Sequence, residues 1–124
     1  MATVELTEAT FEETVTTNEI VLVDWWAAWC GPCRMFAPVF EASSEQHPDV
    51  VHAKVDTDAE TTLSGAAGIR SIPTLMAFRD GILVFNQAGA LPPQSLEQVV
   101  EAVRSLDMDK VREQLAAQQA ARTA

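Results

Sequence analysis

Hydrophobic and polar positions alternate along the chain in blocks that predict an α/β fold. The run from Ile20 to Trp26 is apolar on both alternating faces except at Asp24, which is typical of a central strand covered on both sides. Shorter apolar runs predict further strands, and apolar positions three or four residues apart predict helices between them. The blocks follow the order βαβαβαββα, which indicates an α/β layer architecture with one hairpin at the end of the sheet.

Local signals set the predicted bounds of these elements. Thr10 and Glu13 have capping-box spacing, so we expect the first helix to start at Thr10. Arg79-Asp80-Gly81 is a turn signal between the last two strands. We predict strands over 3–6, 20–26, 50–55, 75–78 and 83–85, with helices that start near Thr10, run from Pro32 to about 46, cover 58–67 and begin after Pro92-Pro93.

The end of the chain has a different character. Residues 106–124 contain three acids and three bases, and their apolar positions are out of step with the preceding helix. We therefore place one domain at residues 1–105 and treat residues 106–124 as a C-terminal helical extension, weakly helical and frayed from Ala120 to Ala124. The extension is either a solvated helix without a role or an element that docks partners.

The charge of the chain limits its partners. Residues 1–60 contain 12 acids and only two bases, Arg34 and Lys54, and the whole chain has a net charge of −10. Such a surface repels nucleic acid and anionic membranes, so we expect neither as a partner. The hydrophobic share of 48% is ordinary for a soluble globular protein, and a domain of 124 residues buries enough surface to need no disulfide or metal to hold its core.

The chain shows no segment that would take it into or across a membrane. The longest apolar stretch, 20–30, has 11 residues, whereas a spanning helix needs about 20. No Lys or Arg precedes Arg34, so the positively charged start of a secretory signal is absent. We therefore expect a cytoplasmic protein, whose thiols are normally kept reduced.

Two cysteines lie where a strand meets a helix, in the sequence Cys30-Gly31-Pro32-Cys33. A helix N-terminus stabilises a thiolate, so the pKa of Cys30 should fall and Cys30 should be the attacking, more exposed sulfur. Cys33, one helical turn further on, can then resolve the mixed disulfide. A purely structural disulfide is the weaker alternative, because so short a loop restricts the unfolded chain little.

A zinc site is a second alternative for the same cysteines. Together with His47 and His52 they form C-x2-C-x13-H-x4-H, which fits a loose zinc-site spacing. Pro48 and Asp49 break the chain between the two histidines, and His52 falls inside an apolar strand, so we predict no metal site.

Other side chains near the dithiol carry candidate chemistry. Asp24 lies inside an apolar strand, and burial should raise its pKa into the range useful for proton transfer; the alternative is an ionised acid at the strand end. Lys54, the only base in the third strand, could approach Asp24 across the sheet, or could lie on the surface. Trp29 precedes Cys30, where a large side chain shapes access to the sulfur.

Three segments of the sequence resemble the landmarks of a known family. The segment from Val23 to Arg34, Val-Asp-Trp-Trp-Ala-Ala-Trp-Cys-Gly-Pro-Cys-Arg, resembles the active-site signature of bacterial-type thioredoxins. Gly68 to Leu75 and Gln87 to Leu91 are similar to the other two landmarks of that family, in the same order and spacing. The likeness covers residues 3–105, and it implies a thioredoxin-like three-layer sandwich, in which helices flank a central mixed five-stranded sheet.

The resemblance also implies an activity and a set of roles. It implies general protein-disulfide reduction, with Cys30 as the nucleophile, Cys33 as the resolving thiol, Asp24 as the buried acid and Lys54 as its partner. Pro73 corresponds to the family's cis-proline facing the disulfide. The groove that docks substrates would be lined by Trp29, Gly31, Pro32, Ile72, Pro73, Thr74, Gly89 and Ala90.

The partners implied by the resemblance are an NADPH-dependent thioredoxin reductase and proteins that contain disulfides. No bound cofactor is needed, and we expect a monomer. Two alternatives belong to other classes: a thioredoxin-like binding module or chaperone-type subunit that acts through its groove and tail, and a disulfide-forming oxidant. The oxidant usually carries an export signal and different residues between its cysteines, and neither condition is met here.

Overall fold

The computed structural model describes residues 2–123, and its centre is a five-stranded sheet with strand order β1-β3-β2-β4-β5. Strand β2 is central: it pairs in parallel with β3 and antiparallel with β4. Strand β1 extends the sheet beyond β3 in parallel, and β5 closes the other edge antiparallel to β4. The strands are β1 (Thr3–Glu5), β2 (Ile20–Trp26), β3 (Val51–Asp56), β4 (Thr74–Arg79) and β5 (Ile82–Ala88).

Helices cover both faces of this sheet and make two separate cores. The helices are α1 (Glu8–Thr17), α2 (Gly31–Gln46), α3 (Thr61–Ala66), α4 (Pro93–Arg104) and α5 (Met108–Thr123). One core joins Leu22 of β2 to Phe40 of α2 and Val100 of α4. The other joins Val23 and Trp25 of β2 to the side of the sheet covered by α1 and α3. The mixed five-stranded sheet flanked by helices confirms the predicted fold class.

The central position of β2 follows from its sequence. Every residue from Ile20 to Trp25 is buried, including Asp24, as expected of a strand that receives helices on both faces. Because successive side chains point to opposite faces, Leu22 and Asp24 face α2, whereas Val23 and Trp25 face α1. One polar residue in an apolar strand is thereby held beneath the helix that carries the cysteines.

Two predicted helix starts are wrong. Helix α1 begins at Glu8 with Thr7 as its N-cap, and the N–H of Thr7 donates to the hydroxyl of Thr10 over 3.0 Å. A threonine thus completes the capping box in the place where Glu13 was expected, and the helix starts one turn earlier. Helix α3 begins at Thr61 because residues before it form a turn, in which the Asp56 carboxylate accepts from the N–H of Asp58 over 2.9 Å.

The strands of the last hairpin are longer than the predicted 75–78 and 83–85, and the last helix continues further than predicted. Asp80 and Gly81 both have positive φ, of 54° and 80°, as a two-residue hairpin turn requires. Helix α5 is helical through Thr123, so the predicted fraying from Ala120 is wrong as far as the described residues extend, and Ala124 lies outside them. Among the helices that the structure describes, none is long and apolar enough to span a membrane.

Candidate active site

The two cysteines lie at the N-terminal end of α2. Cys30 is the N-cap residue, Pro32 occupies the first turn, and Cys33 follows one turn along the helix. The Sγ of Cys30 accepts the backbone N–H of Cys33 over 3.2 Å, and the two sulfurs form a disulfide with their Cα atoms 5.2 Å apart. In the reduced state this N–H and the helix dipole favour a negative charge on Cys30.

Both cysteines are buried in this disulfide form. The exposed fraction is 4% for Cys30 and 3% for Cys33, so the greater exposure predicted for Cys30 is slight in this form. They pack with Ala27, and Trp26 and Ile72 cover this small cluster from the side. A partner therefore reaches the sulfurs only by lying closely against the surrounding surface.

The backbone on one side of the disulfide comes from the loop before β4. The Ile72–Pro73 peptide bond is cis, as the resemblance implied, and the carbonyl oxygen of Ile72 lies 3.6 Å from the Sγ of Cys30. The carbonyl of Pro73 accepts the N–H of Gly89 over 2.8 Å. This bond fastens the end of β5 beside the disulfide, and Gly89 can adopt its φ of 102° because it has no side chain.

The predicted groove residues differ in what they offer a partner. Trp29, Pro32, Gly89 and Ala90 are exposed, Gly31 and Ile72 are half-buried, and Pro73 is buried. Thr74 is buried as well, and its hydroxyl donates to the carbonyl of Ser71 over 2.6 Å. The side chain of Thr74 is therefore turned away from the surface that the other predicted groove residues share.

Asp24 is fully buried, and neither of its carboxylate oxygens has a hydrogen-bond partner among residues 2–123. Burial raises the pKa of Asp24 to about 7, and the charge of Lys54 opposes this rise. A buried carboxyl without partners is costly to the fold when it is charged. The strand position of Asp24 thus creates a group able to take up and release a proton near neutral pH, as the sequence predicted.

Lys54 neighbours Asp24 in the sheet and lines one cavity together with Cys33. It is the register partner of Asp24 across β2 and β3, and its Nζ lies 4.9 Å from the centre of the Trp26 ring. A cavity of about 110 Å³ is lined by Lys54, Trp26 and Cys33 among others. Of the two sequence interpretations, a surface lysine or a partner of Asp24, the register favours the second.

Two acidic residues of the site were missed at the sequence level. Glu5 of β1 pairs with Lys54 from the other side, so that Glu5, Lys54 and Asp24 form one row across three strands. Partial burial raises the pKa of Glu5, and its charge adds to the rise at Asp24. The strand register, which no local pattern reveals, was the missing signal.

Asp58 is the second missed residue. Its Oδ2 accepts the indole N–H of Trp29 over 2.9 Å, which fixes a side chain that is 67% exposed. The guanidinium of Arg34 donates to the carbonyl of Ala28 over 3.2 Å, which braces the same loop. The large exposed indole is therefore held in one orientation beside Cys30.

The histidines of the zinc alternative are engaged elsewhere. The Nδ1 of His52 lies 3.0 Å from the Val50 carbonyl and its Nε2 lies 2.8 Å from the Ser43 hydroxyl. The Nε2 of His47 lies 2.8 Å from Glu97. Within residues 2–123, no three His, Cys, Asp or Glu side chains are grouped so as to hold a metal.

Comparisons with known proteins agree with this geometry. The family model described as thioredoxin matches residues 2–102. "Putative thioredoxin 2" of Streptomyces coelicolor is 55% identical over 119 residues, which cover 96% of this chain and 89% of that protein. "Thioredoxin 1" of Synechococcus elongatus is 47% identical and covers 77% of this chain and 92% of its own length.

Among solved structures, a mutant thioredoxin from Halobacterium salinarum superposes with a TM-score of 0.78 at 34% identity, covering 84% of this chain and 92% of that one. Sequence, fold and dithiol therefore agree on one family. The chain belongs to the thioredoxin family, and its Cys30–Cys33 pair makes it a dithiol/disulfide oxidoreductase.

Proposed function

We propose that this protein is a general protein-disulfide reductase whose dithiol is restored by an NADPH-dependent thioredoxin reductase. The observation that carries the proposal is the Cys30–Cys33 pair at the start of α2, one helical turn apart, above a buried and unpartnered Asp24. The pair supplies two electrons, and the carboxyl supplies a proton acceptor. Proteins that contain an accessible disulfide are the substrates.

The first step is attack by Cys30. Its thiolate, stabilised by the N–H of Cys33 and the helix dipole, attacks one sulfur of the substrate disulfide. A bond forms between Cys30 and that sulfur, the substrate disulfide breaks, and the second substrate cysteine leaves as a thiolate that takes a proton from solvent. The product is a mixed disulfide between the two proteins.

The second step is release by Cys33. Asp24, ionised at the start of this step, takes the proton of the Cys33 thiol, and Lys54 keeps its pKa from rising further. The Cys33 thiolate attacks the Sγ of Cys30, the internal disulfide forms, and the remaining substrate cysteine leaves and is protonated. Two electrons and two protons pass from the dithiol to the substrate, and NADPH returns the electrons through the reductase.

The surface around the disulfide is the proposed docking site. Trp29, held by Asp58, lies on one side, and the loops of Ile72 and Gly89 lie on the other. Backbone groups beside Pro73 can pair with an extended substrate segment, as in strand addition. The site residues in this proposal are Cys30, Cys33, Asp24 and Lys54 for the chemistry, and Trp29, Gly31, Pro32, Ile72, Pro73, Gly89 and Ala90 for docking.

The test couples NADPH oxidation to insulin reduction in the presence of a thioredoxin reductase. The intact protein should turn over, and Cys30→Ser should abolish turnover. Cys33→Ser should accumulate a mixed disulfide with the substrate, because only the first step remains. If the reduced intact protein gives no turnover, the reductase assignment is wrong and a thioredoxin-like binding module becomes the better account.

The proposal extends to the setting in which the protein works. It acts as a cytoplasmic monomer and needs neither a bound cofactor nor a metal. Protein treated with a chelator should therefore keep full insulin-reducing activity, and its mass in solution should be that of one chain. Loss of activity that added metal restores would contradict the cofactor-free mechanism.

We also propose that residues 1–105 are the catalytic domain and residues 106–124 an extension. Met108 anchors α5 by burial and Arg112 by a 3.0 Å ion pair with Asp80, whereas every residue over 116–123 is exposed. The Streptomyces relative aligns over nearly the whole chain, whereas the Synechococcus relative aligns over 77% of it. Deletion of residues 107–124 should leave the kinetics with insulin unchanged, and a loss confined to some substrates would assign α5 to docking.

A further inference from the structure

A groove of about 330 Å³ lies between β5 and α4, outside the residues assigned to the chemistry. Its apolar surface comes from three half-buried side chains, those of Phe85, Leu91 and Val99, and from the exposed Ala102. Polar but uncharged groups line it as well: the amides of Gln87 and Gln98 and the hydroxyl of Ser95. Such a surface suits an aliphatic or aromatic side chain on an extended backbone, because the amides can donate to and accept from that backbone.

The chain links the groove to the loops beside the disulfide. The carbonyl of Ile72 lies 3.6 Å from the Sγ of Cys30, and the next residue, Pro73, accepts the N–H of Gly89 over 2.8 Å. Leu91, two residues after Gly89, lies at the groove. Leu91 is therefore the groove residue nearest in sequence to the loops that flank Cys30.

The lining of this groove is uncharged as far as the described residues show, although the molecule as a whole is acidic. The chain has a net charge of −10, yet none of the residues lining the groove is charged. The acids of α4 are engaged on another side of the helix, where Glu97 bonds to His47 and Glu101 bonds to Arg104, each over 2.8 Å. The acidic surface favours basic partners in general, whereas this groove favours an uncharged segment.

We propose that the β5–α4 groove is a second subsite for protein substrates and that it binds an uncharged segment bearing a Leu, Met or Phe side chain a few residues from the target cysteine. The inference rests on the proposed function, since it names which disulfide-containing proteins that function prefers. The groove contributes binding energy remote from the sulfurs, so it changes kcat/KM for proteins and leaves the reaction of small disulfides unchanged.

The test uses peptides that contain one disulfide and carry a single Leu at each position from two to five residues on either side of the reacting cysteine. A matched series carries Glu at the same positions. The wild-type protein should reduce the best Leu peptide with a kcat/KM about tenfold higher than its Glu counterpart, the gain typical of burying one apolar side chain. Reduction of 5,5′-dithiobis(2-nitrobenzoate), a small disulfide, provides the reference rate.

Two variants assign the preference to this groove. Gln98→Lys places a positive charge at the groove on an exposed residue, which attracts a Glu side chain, and should remove most of the preference for Leu over Glu without changing the rate with the small disulfide. Gln114→Lys makes the same change of charge on α5, at a different groove, and should keep the preference.

The outcomes separate the two proposals. Equal reduction of all Leu and Glu peptides by the wild-type protein, or equal loss in both variants, overturns the subsite and leaves the reductase function intact. Failure to reduce any peptide, together with failure to reduce the small disulfide, overturns the reductase function and the subsite with it.

Discussion

Helix α2 covers two buried ionisable groups, one beneath each of its ends, and the two are treated in opposite ways. Asp24, beneath the dithiol, has no hydrogen-bond partner for either oxygen in the part of the chain that the structure describes. His52, beneath the other end, uses both ring nitrogens: Nδ1–H donates to the Val50 carbonyl, and Nε2 accepts from the Ser43 hydroxyl. Both groups are at most 1% exposed.

The difference shows that burial alone does not mark a functional group. Burial lowers the pKa of His52, and its neutral form is fully bonded, so it belongs to the core next to Phe40. Burial raises the pKa of Asp24 to about 7, and nothing but the charge of Lys54 opposes that rise. A buried group whose bonds are all made stabilises the fold, whereas one left without partners costs stability and keeps its proton available.

The largest expected effect is on the stability of Asp24→Asn. In the wild-type protein the rise of the pKa from 3.8 to about 7 corresponds to about 4 kcal/mol of unfolding free energy lost above pH 7. The amide cannot ionise, so the variant should be more stable at pH 8 by up to that amount, as measured by urea denaturation. Glu113→Gln, a change at an exposed acid of α5, is the control and should have little effect. A variant no more stable than the wild type would contradict the absence of partners for Asp24.

A loss of stability, not a gain, is expected from a substitution at the other end of α2. Ser43→Ala removes the donor to the Nε2 of His52 and leaves a buried nitrogen unsatisfied, which should cost about 1–3 kcal/mol of unfolding free energy. Insulin reduction at 25 °C should be unchanged, because the bond lies far along α2 from Cys30. A loss of activity in folded Ser43→Ala protein would show that the His52 end of α2 also contributes to catalysis.

The pH dependence of stability distinguishes Asp24 from His52. Between pH 3.8 and about 7 the folded state keeps a proton on Asp24 that the unfolded state has lost, so this group makes stability fall as pH rises, by at most about 1.4 kcal/mol per pH unit. His52 acts in the other direction, since below pH 6.5 the unfolded state binds a proton that the folded state does not. The stability gained in Asp24→Asn should therefore be near zero at pH 4 and grow until about pH 7. A gain that is constant with pH would show that Asp24 does not titrate as described.

The smallest expected effect concerns Lys54. Lys54→Met removes the charge that lowers the pKa of Asp24, so the pKa should rise above 7. A pKa of 8 in place of 7 lowers the carboxylate fraction at pH 7 about fivefold, and the release of substrate by Cys33 should slow by a similar factor. Raising the pH to 9 should restore the rate. A rate that stays low at pH 9 would assign Lys54 a different part in the reaction.

Local patterns predicted most of the fold and the chemistry at the cysteines. The apolar run with Asp24 inside it defined the central strand, and the dipeptide Asp80-Gly81 defined the hairpin turn. The capping box was placed one turn too late because Thr10 acts as the acceptor within the box and not as the N-cap. Two threonines three residues apart satisfy the same geometry as Thr10 with Glu13, so the sequence did not distinguish them.

The contacts that sequence reasoning missed all depend on distant segments meeting. Glu5 joins the row of Lys54 and Asp24 only through the strand register, and Asp58 reaches Trp29 across 29 residues. Patterns of residue type predict what a segment becomes, whereas these contacts depend on where the segments are packed.

The role of Asp24 as proton acceptor for Cys33 is tested most directly by following the two steps separately with 5,5′-dithiobis(2-nitrobenzoate). Attack by Cys30 frees one coloured thiolate from this reagent, and release by Cys33 frees the second. Cys33→Ser should free one thiolate and identifies the first step. At pH 7 the second step should be at least about tenfold faster in the wild-type protein than in Asp24→Asn. The rate of this step in the wild-type protein should rise with pH around a midpoint near pH 7, and in the variant that midpoint should shift toward the pKa of an ordinary thiol. A second step with the same rate and the same pH profile in both proteins would contradict the role of Asp24 as the proton acceptor for Cys33.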